Sequence, residues 1–240
     1  METIVKPIFL FADSQLLFWH TEEGLLLDRV RQSLSVELAE GPLKAAYLGA
    51  SNGDVHEFFE LFVAAMEGIG ITECRMIPAM PSPEDEAYLS QANVILLAGG
   101  DPWRGWQVFK ENGLIERLIE RYYAGAVLIG ISAGAMQLGL KGWSEHPQVP
   151  HKTFDTLKIV PYVIDAHQEP NWYLLRQVVH EMGEGVRGLG IPMGGGVIFH
   201  PDWSIEPVRH SLIEFMVADS QLQQTLLLPP PPASGLEAGA

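Results

Sequence analysis

A chain of 240 residues can bury a full core and falls within the size of one large domain or two small ones. Apolar residues make up 47% and charged residues 19%, with no apolar run of membrane-span length, which points to a soluble globular protein and away from a membrane partner. A net charge of -15 argues against nucleic acid, whose phosphates such a surface repels, and a single cysteine, Cys74, excludes an internal disulfide and fits a reducing compartment. Glu2 and Pro7 stand where a signal peptide wants a basic start, so the expectation is a cytoplasmic protein without an export signal.

Ile8 to Ala12 is the first buried strand, and Leu26, Val30, Leu34 and Leu38 then recur at spacing four, predicting one helix that ends near Gly41-Pro42. Lys44 to Ala50 is the next strand. Asn52-Gly53 turns the chain, and Asp54 is placed to cap a helix with Val55, Phe58, Phe59, Phe62, Val63 and Met66 on one face. Glu73 to Ile77 is a short strand. Ser82-Pro83-Glu84-Asp85 carries the cap, first-turn proline and acidic first turn of a helix toward Gln91. Val94 to Ala98 is a strand, followed by the turn Gly99-Gly100-Asp101-Pro102 and a helix from Gly113 to Tyr123. Strands alternating with helices of this length mean parallel βαβ units. The fold class expected is therefore α/β, a doubly wound, mostly parallel sheet with helices on both faces, as in flavodoxin-like three-layer sandwiches.

Beyond Trp143 the pattern changes: Leu157 to Ile164 reads as a strand, Trp172 to Met182 as a helix, and Val186 to Ile191, Gly196 to His200 and Leu212 to Val217 as short strands. No linker cuts a second domain, so residues 1–225 are expected to form one catalytic domain, and the proline-rich end, residues 226–240, to be disordered.

The stretch that carries chemistry is Val127 to Leu138. A short run rich in β-branched residues leads into Gly130-Ile131-Ser132-Ala133-Gly134 and then a helix-forming segment, giving strand, sharp turn and helix. Such a Gly-x-Ser-x-Gly turn is a nucleophile elbow, which holds the serine hydroxyl exposed above the sheet edge and points the Ala133 N–H toward any oxyanion formed there. A serine hydroxyl needs a base. Of eight histidines, His167 is best placed: a strand from Ile159 to Ile164 delivers Asp165-Ala166-His167 at its carboxyl end, expected at the same sheet edge as the elbow. His200 and His210, near predicted strand ends, are the other candidates, whereas His20, His56 and His180 have no such placement.

With these blocks in hand, the chain resembles the serine peptidases related to dipeptidase E and cyanophycinase, whose fold is similar to class I glutamine amidotransferases. Leu97-Ala98-Gly99-Gly100-Asp101, the Ser132 elbow, and Ile164-Asp165-Ala166-His167 followed by the Trp172 helix and Gly188-Leu189-Gly190-Ile191 carry it, over roughly residues 90 to 200. The resemblance implies Ser132 as nucleophile, His167 as general base and then acid, and an oxyanion hole from backbone N–H groups at Gly100 and Ala133. Gly99, Asp101, Arg176 and Trp172 are expected to meet substrate.

Three departures stand out. Relatives often carry a glutamate after the Gly-Leu-Gly-Ile block, where this chain has Pro192-Met193-Gly194-Gly195-Gly196, leaving Asp165, Glu145, Asp155 or Glu169 as the acid that orients the histidine. Of the basic residues that follow the histidine in cyanophycinase-like chains only Arg176 is kept, which weakens the case for an acidic side chain in the pocket. Asp101-Pro102-Trp103 replaces an amide-bearing residue, so Trp103, Trp106, Trp143 and Trp172 become candidates for an aromatic site.

No cofactor is expected. His146 and His151, five apart beside Glu145, fit no common metal site, and Gly194-Gly195-Gly196 lacks the strand-to-helix frame of a nucleotide loop. An α/β-hydrolase shares the elbow but places its histidine near the C-terminus, and a glutamine amidotransferase needs a cysteine where Ser132 stands. The expected function is hydrolysis of an amide bond in a short peptide or peptide-like metabolite through an acyl-enzyme at Ser132. Its rival is a weak or inactive homologue that binds a peptide, metabolite or partner. The small-molecule substrate is the partner expected, and the reading leaves room for a homodimer.

Overall fold

A computed structural model describes residues 5–144, 152–168 and 170–231. The chain opens with β1 (Ile8–Phe11), a 3-10 turn at Ser14–Phe18, and the two-residue strands β2 (His20–Thr21) and β3 (Gly24–Leu25). There follow α1 (Asp28–Ser33), α2 (Ser35–Glu40), β4 (Lys44–Leu48), α3 (His56–Gly68), β5 (Glu73–Ile77), α4 (Pro83–Leu89) and β6 (Val94–Leu97). The middle comprises α5 (Pro102–Glu111), α6 (Leu114–Tyr123), β7 (Val127–Ile131) and α7 (Ala133–Leu138). The last part holds β8 (Lys141–Trp143), β9 (Thr153–Asp155), β10 (Val163–Ala166), α8 (Tyr173–Met182), β11 (Arg187–Ile191), β12 (Gly196–Phe199), β13 (Ile205–Val208), β14 (Leu212–Ala218) and β15 (Gln221–Leu227).

Seven strands form the main sheet in the order β13-β12-β1-β7-β6-β4-β5. From β1 to β5 all neighbours run parallel, and β12 and β13 add an antiparallel edge. Both faces are covered, which is why the central strands β1, β6 and β7 are apolar throughout: Ile8 and Leu10 enter one core cluster and Phe9 and Phe11 the other, as do Ile95 and Leu97 against Val94 and Leu96. This is the mostly parallel, two-face-covered α/β sheet that the alternating pattern predicts.

A second sheet was not foreseen. β10-β11-β14-β15 is a separate four-stranded sheet, covered on one side by α8 and joined on the other to the first core cluster, which takes in Ile164, Ala166, Leu189, Ile191 and Leu212 alongside residues of the main sheet. Helix α7 lies between the sheets, packed on β7 and on β10, and all six of its residues are buried. A helix enclosed on every side has to be apolar around its whole circumference, which the Ala-Gly-Ala-Met-Gln-Leu composition supplies apart from Gln137. The Gln137 amide is accommodated by donating to Ser51 Oγ and the Pro102 carbonyl at 3.2 and 3.0 Å.

Several boundaries differ from expectation for identifiable reasons. The strand expected over Leu157 to Ile164 begins only at Val163, because the N–H groups of Leu157, Lys158 and Val160 donate to the carbonyls of Gln137, Gly139 and Leu138 and so cap the C-terminal end of α7. The single helix expected from Leu26 to Leu38 is two, broken at Leu34 (φ -108°, ψ 21°). Asp54 caps nothing; its φ is 59° and its carboxylate accepts from Ala79 N at 2.8 Å, so α3 starts one residue later than expected, behind Val55. Helix α5 went unread although Asp101 and Pro102 are an N-cap and first-turn proline. β13 and β15 were also missed, and the 225/226 boundary cuts β15, which runs to Leu227 through pairing with β14. Residues 232–240 of the expected tail lie outside the described residues.

The elbow depends on close approach of strand, helix and neighbouring strand. A Cβ on Gly134 would overlap the Leu97 carbonyl oxygen of β6, and one on Gly130 would come 2.8 Å from Ala135 Cα. Because the obstacle at Gly134 is backbone, no rotamer change relieves it. Gly134→Ala is expected to cost about 3 kcal/mol of stability, read as a lowered urea midpoint at unchanged slope, whereas Ser132→Ala unfolds near the wild-type midpoint.

Candidate active site

Ser132 terminates β7 with φ 49° and ψ -110°, a conformation that L-residues rarely occupy, held in place by Ser132 N donating to Phe11 O (2.9 Å) and Ser132 O accepting from Met136 N (3.1 Å). Fixing both backbone groups leaves the side chain projecting out of the strand-to-helix turn. Its Oγ lies 2.8 Å from Nε2 of His167. His167 also sits at positive φ, 53°, and its backbone N–H donates to Ile191 O at 2.8 Å, so its main chain is held at the end of the second sheet. The pair therefore spans two sheets: β7 delivers the serine, β10 the histidine. The expectation that both lie on one sheet edge is corrected, and the reason is α7, which fills the space between the sheets and sets their separation.

Loops from both halves close around the pair. Gly100, with φ 135°, faces the Ser51 carbonyl so closely that any Cβ would overlap it, and Asp101 N donates to the same oxygen at 2.9 Å. Asp13 binds the β11–β12 connection to the main sheet: its carboxylate accepts from Gly194 N at 2.6 Å and from Gln15 N at 2.8 Å, and Ala12 N donates to Gly195 O at 3.0 Å. Beside Ser132 these segments enclose a cavity of about 290 Å3 whose lining includes Asp13, Leu17, Tyr47, Asn52, Phe58, Leu61, Phe62, Leu96, Gly99, Gly100, Ser132, His167 and Met193. Burial pushes the Tyr47 phenol above its ordinary range, so its hydroxyl stays neutral.

Of the residues singled out from sequence, Gly99, Gly100, Ser132 and His167 line this cavity. Asp101 does not; its carboxylate caps α5 by accepting from Trp103 N and Arg104 N. Trp172, expected to meet substrate, is 2% exposed and covers Gly190 in the third core cluster, and the Arg176 guanidinium lies over the Phe215 ring, 5.9 Å from its centroid. Trp103, Trp106 and Trp143 likewise pack in or against the core, so the aromatic groups at the cavity are Tyr47, Phe58 and Phe62 instead. In the sequence Phe58 and Phe62 read only as part of the apolar face of α3, and Tyr47 only as a residue of the β4 strand.

No carboxylate of a described residue hydrogen-bonds to His167. Asp165 is 1% exposed within β10, and Asp155 is occupied by Lys141 and Lys158 at 2.8 and 3.3 Å. Glu145, Glu169, His146 and His151 lie outside the described residues. His200 pairs with Glu206 at 3.0 Å, and His56 with Glu60 at 3.5 Å, away from Ser132. Among the described residues no group of three or more His, Cys, Asp or Glu is placed to hold a metal, and no helix is long and apolar enough to cross a membrane. Cys74, in β5, is half-buried, and burial first, then Glu67, push its thiol up to about 11.

Comparison with known proteins places these observations. The model of peptidase family S51 matches residues 30–197. The peptidase E sequences of Salmonella paratyphi C (strain RKS4594) and Salmonella choleraesuis (strain SC-B67) are each 30% identical to this chain over 83 residues, which is 34% of this chain and 36% of theirs, so the match spans about a third of either length. Among solved structures, a peptidase from an acI-B1 Actinobacterium aligns with TM-score 0.66 at 15% identity over 96% of this chain and 97% of its own. A candidate peptidase E protein from Listeria monocytogenes EGD-e aligns with TM-score 0.60 at 17% identity over 87% and 100%. These likenesses show the fold, that of the class I glutamine amidotransferase-like α/β sandwich.

Two outcomes follow. Asp101→Ala is expected to lower stability by about 1 kcal/mol through loss of the α5 cap, measured by urea unfolding. At about pH 8 Cys74 holds little thiolate, so iodoacetamide is expected to modify it slowly, with a rate that climbs as pH approaches 11, followed by intact mass.

Proposed function

The chain belongs to peptidase family S51, and from that premise we propose that it is a serine peptidase cleaving an amide bond of a short peptide through an acyl-enzyme at Ser132. The observation that carries the reading is the 2.8 Å contact between Ser132 Oγ and His167 Nε2 at a serine held in a strained elbow. For Nε2 to accept the hydroxyl proton, the neutral imidazole carries its own proton on Nδ1.

In the first half-reaction Oγ attacks the scissile carbonyl carbon while its proton passes to Nε2 of His167. The oxyanion is met by the N–H groups of Gly100 and Ala133. Ala133 opens α7 and so has no intrahelical acceptor, and neither N–H appears among the turn and cap hydrogen bonds of the described residues. Collapse of the tetrahedral intermediate breaks the C–N bond, with Nε2 returning its proton to the leaving amine. Water then attacks the ester, again losing a proton to His167; the C–Oγ bond breaks, the serine recovers the proton and a carboxylate product leaves. The backbone of His167 is held by its N–H bond to Ile191 O, which fixes where the imidazole springs from the end of β10. A cavity of about 290 Å3 between loops suits a short peptide better than a folded protein segment.

Fluorophosphonate labelling tests the proposal. Wild type is expected to gain one adduct that maps to Ser132, with Ser132→Ala unlabelled and His167→Ala slowed by at least about 100-fold. A folded wild type that takes no label would instead favour a homologue that binds ligand without cleaving it.

A further inference from the structure

We propose that the cavity beside Ser132 selects a large apolar side chain, branched aliphatic or aromatic, on the acyl side of the scissile bond; this rests on the Ser132–His167 reading and adds to it the substrate class. The walls are Leu17, Tyr47, Phe62, Leu96 and Ile131, side chains from strands and helices of the main sheet. Of the polar groups beside these walls, Asn52 Nδ2 donates to Tyr47 Oη at 3.0 Å and Asn52 Oδ1 accepts from Val55 N at 3.1 Å, which ties the Asn52 amide to its neighbours.

Charge settles which substrates are disfavoured. Among the described residues no lysine or arginine lines the cavity, so a carboxylate side chain entering it would lose its hydration without gaining a cation from them. It would also face Asp13, the one carboxylate among the described lining residues. A cationic side chain would also lose its hydration against the apolar walls, and Asp13, whose two oxygens already accept from Gly194 N and Gln15 N to tie down the β11–β12 connection, compensates that loss only in part. An apolar group meets no such penalty and displaces water from an apolar wall.

The mouth gives an independent indication. On α3, Phe58 is 49% and Leu61 41% exposed, and both border the cavity. Two large apolar side chains left half in water at the rim of a concave site form the kind of patch that marks binding, and they extend the apolar surface outward toward an entering side chain. A volume of about 290 Å3 lies at the small end of the roughly 300–1,000 Å3 range of ligand sites, fitting one large side chain and little more.

The test is a series of aminoacyl-coumarin amides, each with free and with acetylated amino group, carrying leucine, methionine, phenylalanine, aspartate or lysine on the acyl side. Fluorophosphonate labelling of Ser132 is run in parallel. With Ser132 labelled, kcat/KM for the best apolar substrate is expected to exceed those for aspartate and lysine by at least about tenfold. Leu61→Arg, checked for folding by circular dichroism, is expected to lower the leucyl value about tenfold through KM and to narrow the gap to aspartate. Labelled enzyme that prefers aspartate or lysine, or that leaves every apolar substrate intact, overturns the apolar assignment while the serine mechanism stands. So does a leucyl KM unmoved by Leu61→Arg. Failure of Ser132 to label overturns the mechanism and the specificity together.

Discussion

The constraint on which the rest depends is the burial of one six-residue helix between two sheets. Helix α7 packs on β7 and on β10, and with nothing but protein around it, it holds the two sheets at a fixed spacing. Ser132 is its N-cap and His167 follows the strand on its far side, so the same packing that stabilises the core sets the 2.8 Å contact between them. Close packing makes this separation stiff, because interiors this dense do not absorb even a methylene without displacement. The segment from Leu157 to Val160 belongs to the same device: it satisfies the last carbonyls of α7, where a helix end buried without partners would be costly.

Positive φ occurs on both sides of this device as well as elsewhere in the chain. Ser132, His167 and Trp172 all have positive φ, and each is locked by hydrogen bonds or packing, Ser132 to Phe11, His167 to Ile191, Trp172 against Gly190. Backbone strain of this kind persists only where the surroundings over-determine it, and here those surroundings are the ends of strands from both sheets. Asp13 adds the remaining tie. Its carboxylate anchors the loop that leads from the second sheet back into β12 of the main sheet, so a residue with no evident part in the chemistry keeps the cavity closed on one side.

The surroundings of this pair are built from packing and loop contacts. Pro192-Met193-Gly194-Gly195 serves as a docking segment whose N–H groups meet Asp13 and Pro192 O. The positions after the histidine hold Trp172 and Arg176 as packing groups of the second sheet and α8, not as ligands for a substrate carboxylate. Phe58 and Phe62 of α3 stand in the lining of the cavity beside Ser132.

The sequence by itself determined the local events. The central parallel strands of the main sheet were readable because burial on both faces demands continuous apolar runs, and the elbow because only glycine tolerates the approach of Leu97 and Ala135 to its backbone. The pairing of Ser132 with His167 was readable for the same reason, since each residue ends an apolar strand. Tertiary structure alone decided that the two strands belong to different sheets, that Trp172 is core and Asp101 a cap, and that Phe58, Leu61 and Phe62 border the cavity. The physical reason is that periodicity reports whether a side chain is buried but carries no record of what it is buried against; that depends on long-range packing, with α7 between the sheets.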